Sequence, residues 1–158
     1  MNADEYRALH KRTKDECTGC GKTVRPPRRR WCSDLCIETH RVLYDWGYAK
    51  HLVFKRDQGV CCECSCSTVF IQKVRYRVRQ IDRNIGFYAD KLWIQQGFDN
   101  MADRLYHVDH IMARRDGGDN SLGNLRTLCV PCHKKRTKAQ RAAWRSSAPP
   151  DAPQLLLF

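Results

Sequence analysis

Nothing in this chain looks built for a membrane. No apolar run reaches the length that spans a bilayer, and the amino terminus has no basic-then-apolar leader. A transmembrane anchor and secretion are therefore not expected, and the chain is expected to be soluble. Acidic residues are also in short supply. Asp and Glu number 17 against 29 Lys and Arg, for a net charge of +12 and a pI near 9.5. Such an imbalance favours a polyanionic partner, and without a membrane segment nucleic acid is favoured over an anionic lipid surface. No repeat of solenoid type is visible. At 158 residues and 42% hydrophobic, the chain allows one catalytic-size domain with a modest core and a small satellite.

Cysteine is abundant, with ten in the chain. Without a leader, disulfides are the weaker reading, and the spacings are those of metal pairs. Cys17-x2-Cys20 is followed by Cys32-x3-Cys36. Cys61-x2-Cys64 is matched, after a long gap, by Cys129-x2-Cys132. Two structural Zn2+ sites are expected, adding folding energy that a small core does not supply, in a reducing cytoplasm. Cys62 and Cys66 remain. Either could replace a member of the first pair in the second set, or both could be inert thiols.

Four segments follow from composition: 1–16, polar and either a short helix or disordered; 17–58, a four-cysteine knuckle with a helical linker; 59–145, the main domain with a helical insertion at 67–106; and 146–158, a Pro-rich linker with an apolar tail. Ser33 suits an N-cap for a helix carrying Leu35, Val42, Leu43, Trp46, Ala49, Leu52 and Val53. Gly47 is expected to break that helix and Gly59 to end it. In the insertion, Phe70, Val74, Val78, Ile81 and Ile85 fit helical spacing better than a strand. Further helices are expected around Tyr88–Trp93 and Met101–Leu105, separated by Gly97. Tyr106–Met112 and Leu125–Leu128 read as strands around an Asp116–Asn120 loop. A helix should start near Pro131 and run through Trp144. Trp46, Phe87, Trp93 and Tyr106 are expected in the core rather than as base-stacking platforms.

Asp109-His110 places a hard metal ligand beside a base of near-neutral pKa, which suits hydrolysis of a phosphodiester. With Gly117-Gly118, Asn124-Leu125, Leu128-Cys129, Cys132-His133 and Lys135, residues 56–140 resemble the HNH endonuclease family. Cys32-Ser33-x2-Cys36 and the long insertion make them similar to its branch in vertebrate zinc-finger annealing helicases. The resemblance implies an α+β fold: a small ββα-metal HNH nuclease core with a four-cysteine zinc site, preceded by a zinc knuckle and helix. It implies Asp109 and His133 as ligands of a catalytic Mg2+ or Mn2+, and His110 as general base. Asn124 would hold the loop and orient the His110 ring, although in some relatives a residue of this region ligates the metal. On a regular strand Asp109 and His110 point to opposite faces, so a local bend must bring both to one phosphate.

Candidate DNA contacts are Arg28, Arg29, Arg30, Arg114, Arg115, Lys134, Lys135 and Lys138, supplying salt-sensitive, sequence-neutral affinity. Arg75, Arg77, Arg79 and Arg83 are either a second basic surface or simple solubilising charge. The tail residues Gln154, Leu155, Leu157 and Phe158 resemble the pentapeptide by which bacterial proteins bind the replicative sliding clamp. That implies a clamp partner and a bacterial or phage-infected cell; the plain alternative is a tail folded onto its own domain. The alternative for the whole chain is a zinc-stabilised nucleic-acid-binding accessory protein without turnover, or an enzyme that cuts RNA.

Overall fold

The computed structural model describes residues 3–98 and 105–147. Two compact units share the chain: residues 1–59 with 108–127, and residues 60–107 with 128–158. Both contain helices. Among the described residues there is one two-stranded sheet, β1 (Tyr106–His110) paired with β2 (Leu125–Cys129). The fold class is thus α+β, as expected. Among the described residues no helix is long and apolar enough to cross a membrane.

In the first unit, α1 (Ala3–Leu9) is a true helix. Tyr6 secures it, packing edge-on to His40 and Tyr44 at 5.3 and 5.0 Å. The Arg7 guanidinium donates to the buried Thr18 hydroxyl at 3.0 Å. Ser33 caps α2 (Asp34–Tyr44) by accepting from the Cys36 amide, as its position predicts. The break before α3 (Trp46–Asp57) falls at Asp45 rather than at Gly47. Asp45 ends α2 and caps α3 through the Tyr48 amide, and an acid serves that double role better than glycine. Gln58, in the left-handed region at φ 52°, closes α3 one residue before Gly59. Ala49 and Val53 of α3 pack with Leu125, Val108 and Leu122 to form this unit's core. Two side chains then fix α3 to β2. Arg56 donates to the carbonyls of Leu122 and Leu125, and Asp57 accepts from the Thr127 amide at 3.0 Å.

In the second unit the insertion is a helical hairpin, α4 (Thr68–Ile81) and α5 (Arg83–Gln95). The helical reading holds, but the apolar residues that carry it are not the buried face. Phe70, Ile81 and Ile85 are 65, 80 and 55% exposed. The contact face is instead Ile71, Arg75 and Arg79 against Gly86, Asp90 and Trp93. Asp90 is buried and takes both arginines. Those ion pairs outweigh the effect of burial and hold its carboxyl below the usual range. Gly86 is required, because a Cβ there would sit 2.6 Å from Arg79 Cγ. Leu105, expected in a helix, lies in a bend before β1, buried, with its carbonyl accepting from Val130; Met101 lies outside the described residues. Phe98, Leu105, Leu128, Val130 and Ile71 form the core with Cys61 and Cys129, and Trp93 packs against it. The last helix, α6, covers Val130–Ser147.

Candidate active site and zinc centres

Each cysteine set converges. The ligand atoms of Cys17, Cys20, Cys32 and Cys36 lie within 4.8 Å of one another, as do those of Cys61, Cys64, Cys129 and Cys132. A tetrahedral zinc with ~2.3 Å bonds needs sulfurs about 3.8 Å apart. The observed Sγ–Sγ distances of 3.4, 3.6 and 3.7 Å (Cys20–Cys32, Cys32–Cys36, Cys64–Cys129) match that edge. In each set one thiol is primed. Burial raises Cys17, but backbone amides around it win and bring it down to about 6. The Cys66 backbone, followed by neighbouring thiols, draws Cys64 down to about 7 against the opposing effect of burial. Cys32 and Cys129 are pushed up to about 12, Cys32 chiefly by hydrogen bonding with neighbouring thiols and Cys129 chiefly by burial. Four such sulfurs are a soft donor set that fits Zn2+.

Asp109 and His110 sit at the end of β1. Alternate residues of a strand share a face, so Val108 and His110 look one way and His107 and Asp109 the other. Val108 packs on the α3 core, and His110 stacks on Trp46 of α3 at 5.3 Å with planes 8° apart. His110 Nε2 lies 2.9 Å from Asn120 Oδ1. The amide of Asn120 has one sensible orientation, because its Nδ2 donates to the Leu43 carbonyl at 2.8 Å. Its oxygen therefore faces the imidazole, and Nε2 donates to it. Arg114 Nη1 donates to the same oxygen at 3.2 Å.

Asn124 bonds to the backbone of the loop. Its oxygen accepts from the Met112 amide, and its nitrogen donates to the carbonyls of Met112 and Asp119. With the side-chain amide committed to backbone, the ring-nitrogen partner is Asn120 instead. Gly118 completes the loop, since a Cβ there would lie 1.9 Å from the Met112 oxygen. Asp109 is 13% exposed and faces Arg126 across 3.5 Å. His133, near the start of α6, stacks on His107 with centroids 4.3 Å apart.

Trp46, Asn120 and Arg126 had no place in the sequence reading of the site. Asn120 had a signal, an amide in the loop after the Asp-His pair. Trp46 read as core; it is 37% exposed and its partner is His110. Phe87 is 57% exposed, whereas Trp93 is packed on the core and Tyr106 half-buried.

The basic candidates divide. Arg28 is engaged by Asp34 at 3.0 Å, a pair that raises the arginine and lowers the acid through hydrogen bonding and then charge. Arg29, Arg30 and Arg115 are exposed, and Arg114 serves Asn120. Lys134 donates to the Gly97 carbonyl. Lys134 and Lys138 join His133, Thr137, Arg141 and Arg145 around an open cavity of about 320 Å³ along α6; Lys135 is exposed nearby. Gln154, Leu155, Leu157 and Phe158 lie outside the described residues.

This chain is 33% identical over 128 residues to the mouse (Mus musculus) DNA annealing helicase and endonuclease ZRANB3, with 74% of this chain and 12% of that protein covered. It is 31% identical over 120 residues to the human (Homo sapiens) protein of the same name, covering 70% and 11%. It thus spans only about an eighth of these relatives. Among solved structures, that of the human ZRANB3 HNH domain aligns with 29% identity over 66% of this chain and 98% of that one, at a TM-score of 0.43. Residues 97–139, which take in β1, the loop behind it, β2 and the first part of α6, match the HNH endonuclease family model.

Proposed function

We propose that this chain is a metal-dependent DNA endonuclease that hydrolyses phosphodiester bonds. The observation that carries the proposal is the hold on the His110 ring by Asn120 and Trp46. The Leu43 carbonyl orients Asn120, and the Asn120 oxygen accepts a hydrogen bond from His110 Nε2. An imidazole held through Nε2 in this way can take a proton from water at Nδ1. Trp46 keeps the ring in plane. The family match supports nuclease chemistry.

Asp109 and His133 are the side chains that would hold the catalytic ion, Mg2+ or Mn2+. The donor set of one carboxylate and one imidazole fits Mn2+ at least as well as Mg2+. When bound, the ion would neutralise phosphate charge and stabilise the leaving oxygen. The reading requires these two groups and His110 to meet at one phosphate. Arg126 beside Asp109 offsets the carboxylate's charge until then. The basic wall of α6 suits a phosphate backbone. Docking of the Gln154–Phe158 peptide on a sliding clamp is part of the proposal on the strength of its sequence pattern alone.

The test is nicking of supercoiled plasmid with Mg2+ or Mn2+. Asn120→Ala should lower the rate about 10²-fold, and His110→Ala should lower it further, within the 10²–10⁴ range of general-base loss. Zinc content should stay at two per chain in both. Tight DNA binding by wild type with no cleavage under either ion would instead identify an accessory binding protein.

A further inference from the structure

The insertion exposes aromatic rings and cations on the same surfaces. Tyr76 on α4 is 64% exposed, and Phe87 and Tyr88 on α5 are 57 and 65% exposed. Lys73 and Arg77 flank Tyr76 along a groove of about 660 Å³ on α4. On α5, Lys91 Nζ lies 4.5 Å from the Phe87 ring centre and 6.0 Å from that of Tyr88. These rings are not core that failed to pack. Helical spacing turns Gly86, Asp90 and Trp93 toward α4 and leaves 87, 88 and 91 on the far side.

The charge pattern selects the occupant. Residues 67–98 hold six Lys and Arg but only two acids, Asp82 and Asp90. Asp90 is buried between Arg75 and Arg79, and Asp82 caps α5 through the Asn84 and Ile85 amides. Neither carboxylate opposes an anion on the outer faces. A partner that offers phosphates at short intervals, with flat apolar faces between them, complements this surface. Single-stranded DNA has that chemistry, whereas a duplex hides its base faces. The hairpin is rooted beside α6. Trp93 and Phe98 sit at the zinc-site core, Gly97 lies against Pro131, and Lys134 donates to the Gly97 carbonyl.

We infer that the outer faces of α4 and α5 bind single-stranded DNA, with Tyr76, Phe87 and Tyr88 stacking bases and Lys73, Arg77 and Lys91 meeting phosphates. A DNA with a single-stranded segment is then the preferred substrate, a consequence that rests on the proposed nuclease function; the binding itself does not.

The experiment measures fluorescence anisotropy of the full zinc-loaded chain, without added Mg2+ or Mn2+. The probes are a labelled oligothymidylate of roughly 20 nucleotides and a duplex of equal length. Wild type should prefer the single strand. Joint replacement Tyr76→Ala, Phe87→Ala and Tyr88→Ala should weaken single-strand binding at least about tenfold and duplex binding less than about twofold. Tyr76→Phe with Tyr88→Phe, which keeps both rings, should retain wild-type binding. Lys73→Gln with Arg77→Gln should flatten the salt dependence on the single strand. Zinc content and helicity are read on every variant, so that a folding defect is not scored as lost binding. An equal loss on both probes, or no loss in the alanine variant, would overturn the inference. So would a sedimentation coefficient that falls in that variant, since the patch would then be covered by a second copy. Because binding is read without turnover, a chain that binds single strands but never cleaves defeats only the nuclease reading.

Discussion

Cys17–Cys20 and Cys61–Cys64 are the same turn built twice. In each, the residue before the first cysteine bridges to the third residue after the second: Glu16 to Thr23, and Val60 to Ser67. In each, the fourth residue after the first cysteine has positive φ, Gly21 at 79° and Ser65 at 57°. Its amide donates back to that cysteine's carbonyl at 2.9 Å in both. The first cysteine's own amide then donates one residue further on, to Lys22 or Cys66, at 2.7 or 2.9 Å. Both turns aim two sulfurs at a pair near the start of a helix, α2 or α6. What differs is the chain enclosed. Cys20 and Cys32 are 12 positions apart, Cys64 and Cys129 are 65. The first centre closes a small finger, while the second holds together a unit containing α4, α5 and the start of β1. Closing a longer loop costs more chain entropy, so more depends on the second ion.

The two centres should therefore fail unequally. Structural zinc is worth an apparent ~10–16 kcal/mol, of the same order as a whole domain's stability. Cys129→Ser should lose one zinc per chain by elemental analysis and, with it, the cooperative thermal transition of the second unit, because Cys129 is also core. Cys20, exposed, touches no core cluster. Cys20→Ser should lose one zinc but leave that transition in place. Equal loss of helicity in both variants would show that the enclosed chain length does not matter.

A smaller effect isolates the loop between the strands from both metals. Gly118→Ala forces a Cβ against the Met112 carbonyl and the Asn124 amide. It should cost ~2–3 kcal/mol, within the range for backbone strain at a packed site. Nicking should fall while zinc remains at two per chain. If zinc is lost as well, loop and metal centre are one cooperative element rather than two.

How much of this was legible in the sequence depends on what each feature needs. Cysteine pairs announce themselves by spacing, and Asp109, His110, Asn124 and Cys132-His133 by order along the chain. The paired strands and the last helix followed from the same order. The equivalence of the two knuckles was hidden, because ligand spacing differs in the second half and the shared part is carried by backbone amides. Asn120 and Trp46 were missed because their roles depend on contacts across long separations, to Leu43 77 positions away and to the ring of His110. The buried face of α4 was not legible, because arginines paired to Asp90 take the side that apolar spacing alone would assign to Val74 and Phe70. Hydrophobic periodicity does not register a buried ion pair.

Acid should separate the units more gently. Asp57 ties α3 to β2 in the first, and Asp90 ties α4 to α5 in the second. Burial pushes Asp57 up, but hydrogen bonds from Arg56 and Thr127 outweigh it and hold the carboxyl below its usual range. A lowered folded pKa means the stabilisation is fully present above the unfolded value. It is lost as pH falls through the folded value, below the ordinary carboxylate range. Asp57→Asn should remove ~1–3 kcal/mol at neutral pH, the cost of a weakened partner for a buried amide. It should also flatten the acid limb of stability measured by denaturant titration. A stability loss that does not diminish on acidification would place the role of Asp57 in packing alone.

The finest test falls on the two spare cysteines, where the repeat makes a definite assignment. Cys62 occupies the place of Thr18 and Cys66 that of Lys22, neither of which could ligate zinc. Cys62 is exposed, so Cys62→Ser should leave zinc content and melting temperature unchanged. Cys66 packs against the core and is not among the four sulfurs that converge within 4.8 Å of one another. Cys66→Ser should keep both zinc ions while costing about 1 kcal/mol, from a hydroxyl placed against apolar neighbours. Loss of one zinc in either variant would shift the ligand frame and break the equivalence of the two turns, because the backbone pattern would then serve different sulfurs in each.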